Sequence, residues 1–182
     1  MKKIISLLLS SLLVSIFFIA TPANAVQETT ILFQDNFDEE PSLAEGITTL
    51  TKWDIVDGNV DVIGEKGGQT IYDFYPGNGL FLDLSGYLST STLEAKDSFK
   101  LTPGFYKLSF KMGKNGDSEN TYTVELGDLF KEQFPPTGLT TFEREIGVAQ
   151  ETDVQLRIIN NGPNIGGGPV LLEVTLTKES GC

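Results

Sequence analysis

The chain has 182 residues with 25 acidic against 13 basic side chains, no histidine, and one cysteine, Cys182. A net charge of −12 repels phosphate backbones and anionic headgroups, so nucleic acid and membrane surface are poor partners. Without histidine the Ser-His-Asp and Cys-His triads and the usual zinc and copper sites are excluded, and a lone cysteine excludes an intrachain disulfide.

Residues 1–25 have the three parts of an export signal. Lys2 and Lys3 precede an apolar run from Ile4 to Ala20, which ends in Ala23-Asn24-Ala25. Cleavage there is expected to release residues 26–182 as one exported domain, secreted or periplasmic, with 11 basic against 25 acidic residues. No later stretch approaches the roughly 20 apolar residues that a membrane-spanning helix needs, so no membrane insertion is expected after cleavage.

The first strand is expected over Ile31 to Phe37, followed by short strands from Trp53 to Val56 and Val60 to Ile63. Asp57-Gly58 between the last two reads as a hairpin turn, a better account than the start of a calcium loop in Asp57-x-Asn59-x-Asp61. Trp53, the only tryptophan, is expected in the core. Further strands are expected over Gly79 to Leu84 and Leu93 to Leu101.

From there apolar residues alternate with polar ones, the pattern of a strand with one buried face: Tyr106 to Met112, Tyr122 to Leu126, Val154 to Ile158, and Val170 to Leu176. Leu126 to Phe134 has room for one helical turn. Gly67-Gly68, Pro76-Gly77, Pro103-Gly104, Asn115-Gly116 and Gly166-Gly167-Gly168 punctuate the strands. About nine short strands predict an all-β sandwich or barrel, because a one-sided antiparallel sheet must bury its apolar face on a second sheet.

Two sets of residues are candidates for binding. Asp35 and Asp38 follow the first strand, and Glu173 interrupts the apolar last one. Should first and last strands pair, these carboxylates would converge on a hard cation such as calcium; otherwise Glu173 faces water and the aspartates shape a turn. The second set combines ring faces for stacking with planar polar groups for reading hydroxyls: Tyr72, Asp73, Tyr75 and Asn78 in one turn-rich segment, with Asn160 and Asn161 after a strand. A carboxylate pair is the only catalytic apparatus the composition leaves open.

Phe33-Gln-Asp-Asn-Phe-Asp, Trp53-Asp-Ile-Val-Asp-Gly-Asn-Val-Asp-Val-Ile-Gly, Pro76-Gly-Asn-Gly-Leu-Phe-Leu-Asp-Leu-Ser-Gly, Leu101-Thr-Pro-Gly-Phe-Tyr-Lys-Leu-Ser-Phe and Leu171-Leu-Glu-Val-Thr-Leu occur in this order. The order resembles secreted bacterial galactose-binding-like jelly-roll domains, relatives of carbohydrate-binding modules often found with exosortase sorting tails. The resemblance covers nearly all of residues 31–177. It implies a single antiparallel jelly-roll β-sandwich and a noncatalytic module for polysaccharide or cell-surface glycan; an adhesive matrix protein is the alternative. It also implies a structural calcium held by Asp35 or Asp38 with Glu173, although the family's last-strand acid is usually Asp. Gly181-Cys182 stands where the sorting tail would be, so sorting by that route is not implied.

Overall fold

A computed structural model describes residues 29–87, 89–163 and 167–180; the leader-like segment and Cys182 lie outside these residues. Fifteen strands form an antiparallel jelly-roll β-sandwich, with no helix among the described residues. They are β1 (Thr29–Asp35), β2 (Ala44–Ile47), β3 (Trp53–Asp57), β4 (Val60–Lys66), β5 (Gln69–Ile71), β6 (Leu80–Asp83), β7 (Thr92–Ala95) and β8 (Phe99–Leu101). There follow β9 (Gly104–Lys114), β10 (Tyr122–Leu126), β11 (Phe130–Phe134), β12 (Thr140–Val148), β13 (Thr152–Val154), β14 (Leu156–Asn160) and β15 (Pro169–Glu179).

The larger sheet runs β12-β9-β15-β6-β4-β2, with β1 beside β15 and β5 beside β4; the facing sheet runs β11-β10-β14-β7-β3, and β8 and β13 form a separate pair. Alternation explains the long strands. On β9, Tyr106, Leu108, Phe110 and Met112 point into the core, where Tyr122, Val124 and Leu126 meet them from β10. Trp53 is fully buried as expected, with its ring edge-on to Phe33 at 5.3 Å. Tyr106 donates its hydroxyl to the Thr102 carbonyl at 2.8 Å, which pins the start of β9.

Five local expectations are corrected. Asp57-Gly58 does not close a hairpin: β3 and β4 belong to opposite sheets, and the dipeptide turns the chain from one layer to the other. Gly58 is required there, since its φ of +71° is left-handed and an added Cβ would lie 1.7 Å from the Thr90 carbonyl oxygen. Gly58→Ala is expected to cost about 3 kcal/mol or more, read as a lower urea midpoint. The second correction concerns Leu126 to Phe134, which forms a β10–β11 hairpin, with Gly127 at φ +50° in its turn, instead of a helical turn.

Leu93 to Leu101 and Val154 to Ile158 each divide between two sheets, because the alternation continues across a change of partner. In the last strand the alternation changes phase. A bulge between Leu171 and Glu173 turns Leu171, Val174 and Leu176 to the main core, while Val170 and Leu172 join Ile63 and Phe81 in a small apolar cluster on the other face.

Candidate functional site

The small outer cluster organises the site. Tyr75 and Ile71 pack on it, and the Tyr75 ring meets Phe81 edge-on at 5.9 Å. Its hydroxyl accepts the Lys114 amide at 2.8 Å and donates to the Lys114 carbonyl at 2.9 Å. Gly113 leaves room for this contact, since a Cβ there would come within 2.4 Å of that oxygen. Asn78 reinforces the segment by donating to the Tyr75 carbonyl and accepting Lys111 Nζ at 2.6 Å. Tyr75 and Asn78 are thus anchors of the loop that follows β5.

The anchored loop presents its other rings. Tyr72 is 58 % exposed and Phe74 37 %, with planes 9° from parallel and centroids 6.3 Å apart. Tyr72 has a left-handed φ of +43°, a conformation that costs a bulky residue about 1–2 kcal/mol and directs where its ring stands. A third ring, Tyr87, is 73 % exposed and lines the same cleft. Between them lies an open cleft of about 380 Å³ lined by Glu45, Asp61, Tyr72, Phe74, Asp83, Ser85, Gly86, Tyr87 and Asn115.

Asp61 on β4 and Asp83 on β6 are direct cross-strand partners in the cleft. Asp61 Oδ1 accepts the Gly46 amide at 2.6 Å; burial raises its pKa, against that hydrogen bond, and nearby Glu45 adds to the rise. Asp83 is 3 % exposed, accepting the Ser85 amide at 2.8 Å and Asn115 Nδ2 at 2.6 Å. Burial pushes its carboxyl up to about 6, with the Asp61 charge contributing in the same direction. Beneath, Asn160 Nδ2 donates to Ser85 Oγ and the Leu84 carbonyl, so it supports the floor from inside the sandwich. Asn161 is spent on Thr123 Oγ1 at 2.8 Å, and half-buried Asp73 does not line the cleft.

Of the aromatic–amide set, then, the structure brings Tyr72 alone to the cleft and uses Tyr75, Asn78 and Asn160 to build it. Glu45, Phe74, Asp83, Ser85, Tyr87 and Asn115 are not candidates from the sequence, and Asp61 enters there only in the calcium-loop reading set aside for a hairpin. A signal existed for two of them: Asp61 and Asp83 each interrupt an apolar strand, Val60-Asp-Val-Ile and Leu80-Phe-Leu-Asp-Leu.

The expected calcium donors do not converge. First and last strands do pair, with Asp35 opposite Val174, but this register turns Asp35 to the core and leaves Glu173 on the outer face opposite Lys111. Asp35 Oδ2 accepts the Trp53 indole N–H at 2.9 Å and Oδ1 the Phe37 amide at 3.0 Å. Asp38 is exposed and accepts Asn36 Nδ2. Among the described residues no three metal-ligating side chains cluster, so these three carboxylates do not fit a shared calcium.

No protein-family model matches the sequence, and no curated protein matches it. Among solved structures, the chain is similar to a cyclase from Fischerella sp. TAU, with a TM-score of 0.55 and 19 % identity over 82 % of this chain and 97 % of that one. A carbohydrate-binding module from Cellvibrio mixtus lichenase 5A, solved with cellotriose, gives a TM-score of 0.42 and 14 % identity over 82 % of this chain and 98 % of that one. The chain spans 25 % of the Cry4Aa toxin from Bacillus thuringiensis, matching over 76 % of its own length with a TM-score of 0.47 and 9 % identity. The likeness to the cyclase is one of fold.

Proposed function

We propose that the protein is an exported, noncatalytic module that binds a glycan in the cleft between Tyr72, Phe74 and Tyr87. The observation that carries this reading is the pairing of three exposed rings with a polar floor. A soluble domain exposes such rings together where a ligand covers them, and the flat apolar faces of a sugar ring stack on aromatic faces while carboxylate and amide groups take up its hydroxyls. The depth suits one or two sugar units: about 380 Å³ lies within the range of small-molecule sites. Export follows from the leader-like residues 1–25 and accords with a ligand outside the cytoplasm.

Titration calorimetry against a panel of soluble polysaccharides and their oligomers tests the reading. Tyr72→Ala and Tyr87→Ala are each expected to weaken binding about tenfold or more, with melting temperatures unchanged because both rings stand in solvent. Binding that survives both substitutions would remove the cleft from consideration, and heat-silent mixing with every glycan would remove the glycan.

A further inference from the structure

The fixed charge of the cleft is one-sided. Its wall contributes three carboxylates, Glu45, Asp61 and Asp83, and no lysine or arginine among the described residues. The Asn115 amide, a donor in the wall, is already given to Asp83. Asp83 is held by two neutral donors and has no counter-ion among the described residues, and Asp61 stands directly across the strand pair with the same sign. Like charges so placed repel, and the three rings beside them attract cations through their faces.

A ligand that answers this wall brings donors and positive charge. An ammonium has three donors and no acceptor, whereas a uronate or sulfate would add acceptors and negative charge to a wall already rich in both. Resting on the glycan reading above, we propose that the cleft selects an amine-bearing sugar, its ring against Tyr72, Phe74 and Tyr87 and its ammonium against the Asp61–Asp83 pair and Glu45. The acidic surface of the whole chain, 25 acidic against 13 basic residues, would draw such a polycationic polymer toward it.

The test compares oligomers of β-1,4-linked glucosamine with N-acetylated oligomers of the same length and with neutral glucan and galacturonate oligomers, at a pH just above about 6, where the Asp83 carboxyl is ionised and the sugar amines still carry their protons. The amine form is expected to bind at least about tenfold tighter than the acetylated form, with the ratio shrinking as sodium chloride is added. Asp61→Asn, which retains an acceptor for the Gly46 amide, combined with Glu45→Gln is expected to bring that ratio close to one, with the circular-dichroism spectrum of the parent retained. Equal or tighter binding of acetylated or neutral oligomers overturns the charge preference and leaves the glycan reading standing. Silence toward all four ligands overturns both. A preference that persists in the double variant overturns its assignment to this cleft.

Discussion

Trp53→Ala is expected to lower the unfolding free energy by about 3–5 kcal/mol, the cost of removing a fully buried indole from a core that cannot collapse around the void. Two losses act together. Phe33, edge-on to the indole at 5.3 Å, loses its packing partner. Asp35, 2 % exposed, loses the N–H that satisfies Oδ2 and is left with the Phe37 amide and a distant ion pair to Lys52 at 3.9 Å. The same contact links sequence to topology, because Asp35 ends the first strand of the larger sheet and Trp53 begins the edge strand of the facing one. Trp53→Phe separates the two effects: it keeps most of the ring and removes the donor, so a cost near 1–3 kcal/mol is expected from the unsatisfied carboxylate oxygen alone. Urea unfolding of both variants measures this, and a Trp53→Phe protein as stable as the parent would refute the structural role given to the Asp35–indole bond.

Raising the pH is expected to destabilise the protein through Asp83. Its folded-state pKa of about 6 lies above the ordinary 3.8, so the folded chain holds this proton more tightly than the unfolded chain does. The resulting stability is fully present below about pH 4 and is lost as the pH rises through about 6, amounting to about 3 kcal/mol. Asp35 and Asp61 are shifted in the same direction, again chiefly by burial, and add to the slope. Asp83→Asn removes the ionisation and keeps an acceptor for Ser85. The variant is expected to be more stable than the parent at about pH 8 and to show a flatter pH profile between about 4 and 8. Parallel profiles for the two proteins would mean that the general acidic charge, and not this carboxyl, governs the pH response.

What was legible in the letters follows from period. Tyr106 to Met112 and Tyr122 to Leu126 alternate without interruption, and each is a strand whose apolar members face the core. β12 alternates as well, but Arg144 occupies an inward-phase position, where it reaches Glu132 of β11 at 2.7 Å and lies over the Phe134 ring; this polar break hid the strand. β2 and β5 are four and three residues long, too short for any period to register. The candidate site was half legible. The segment around Tyr72 was found because aromatic, acidic and amide residues crowd a glycine-rich turn, but which of them face a ligand depends on Tyr75 finding the Lys114 backbone 39 residues away.

Composition and period by themselves determined that this is an antiparallel all-β domain without histidine chemistry, because alternation and residue inventory are local properties of the chain. Pairing across the sheets decided everything about the site. Asp61 and Asp83 are 22 positions apart and become neighbours only when β4 and β6 align, whereas Asp35 and Glu173, on strands that do pair, are sent to opposite faces by a register that puts Val174 opposite Asp35. Which face a strand residue takes changes with a one-residue shift or a bulge, and only the folded partner strand specifies that shift.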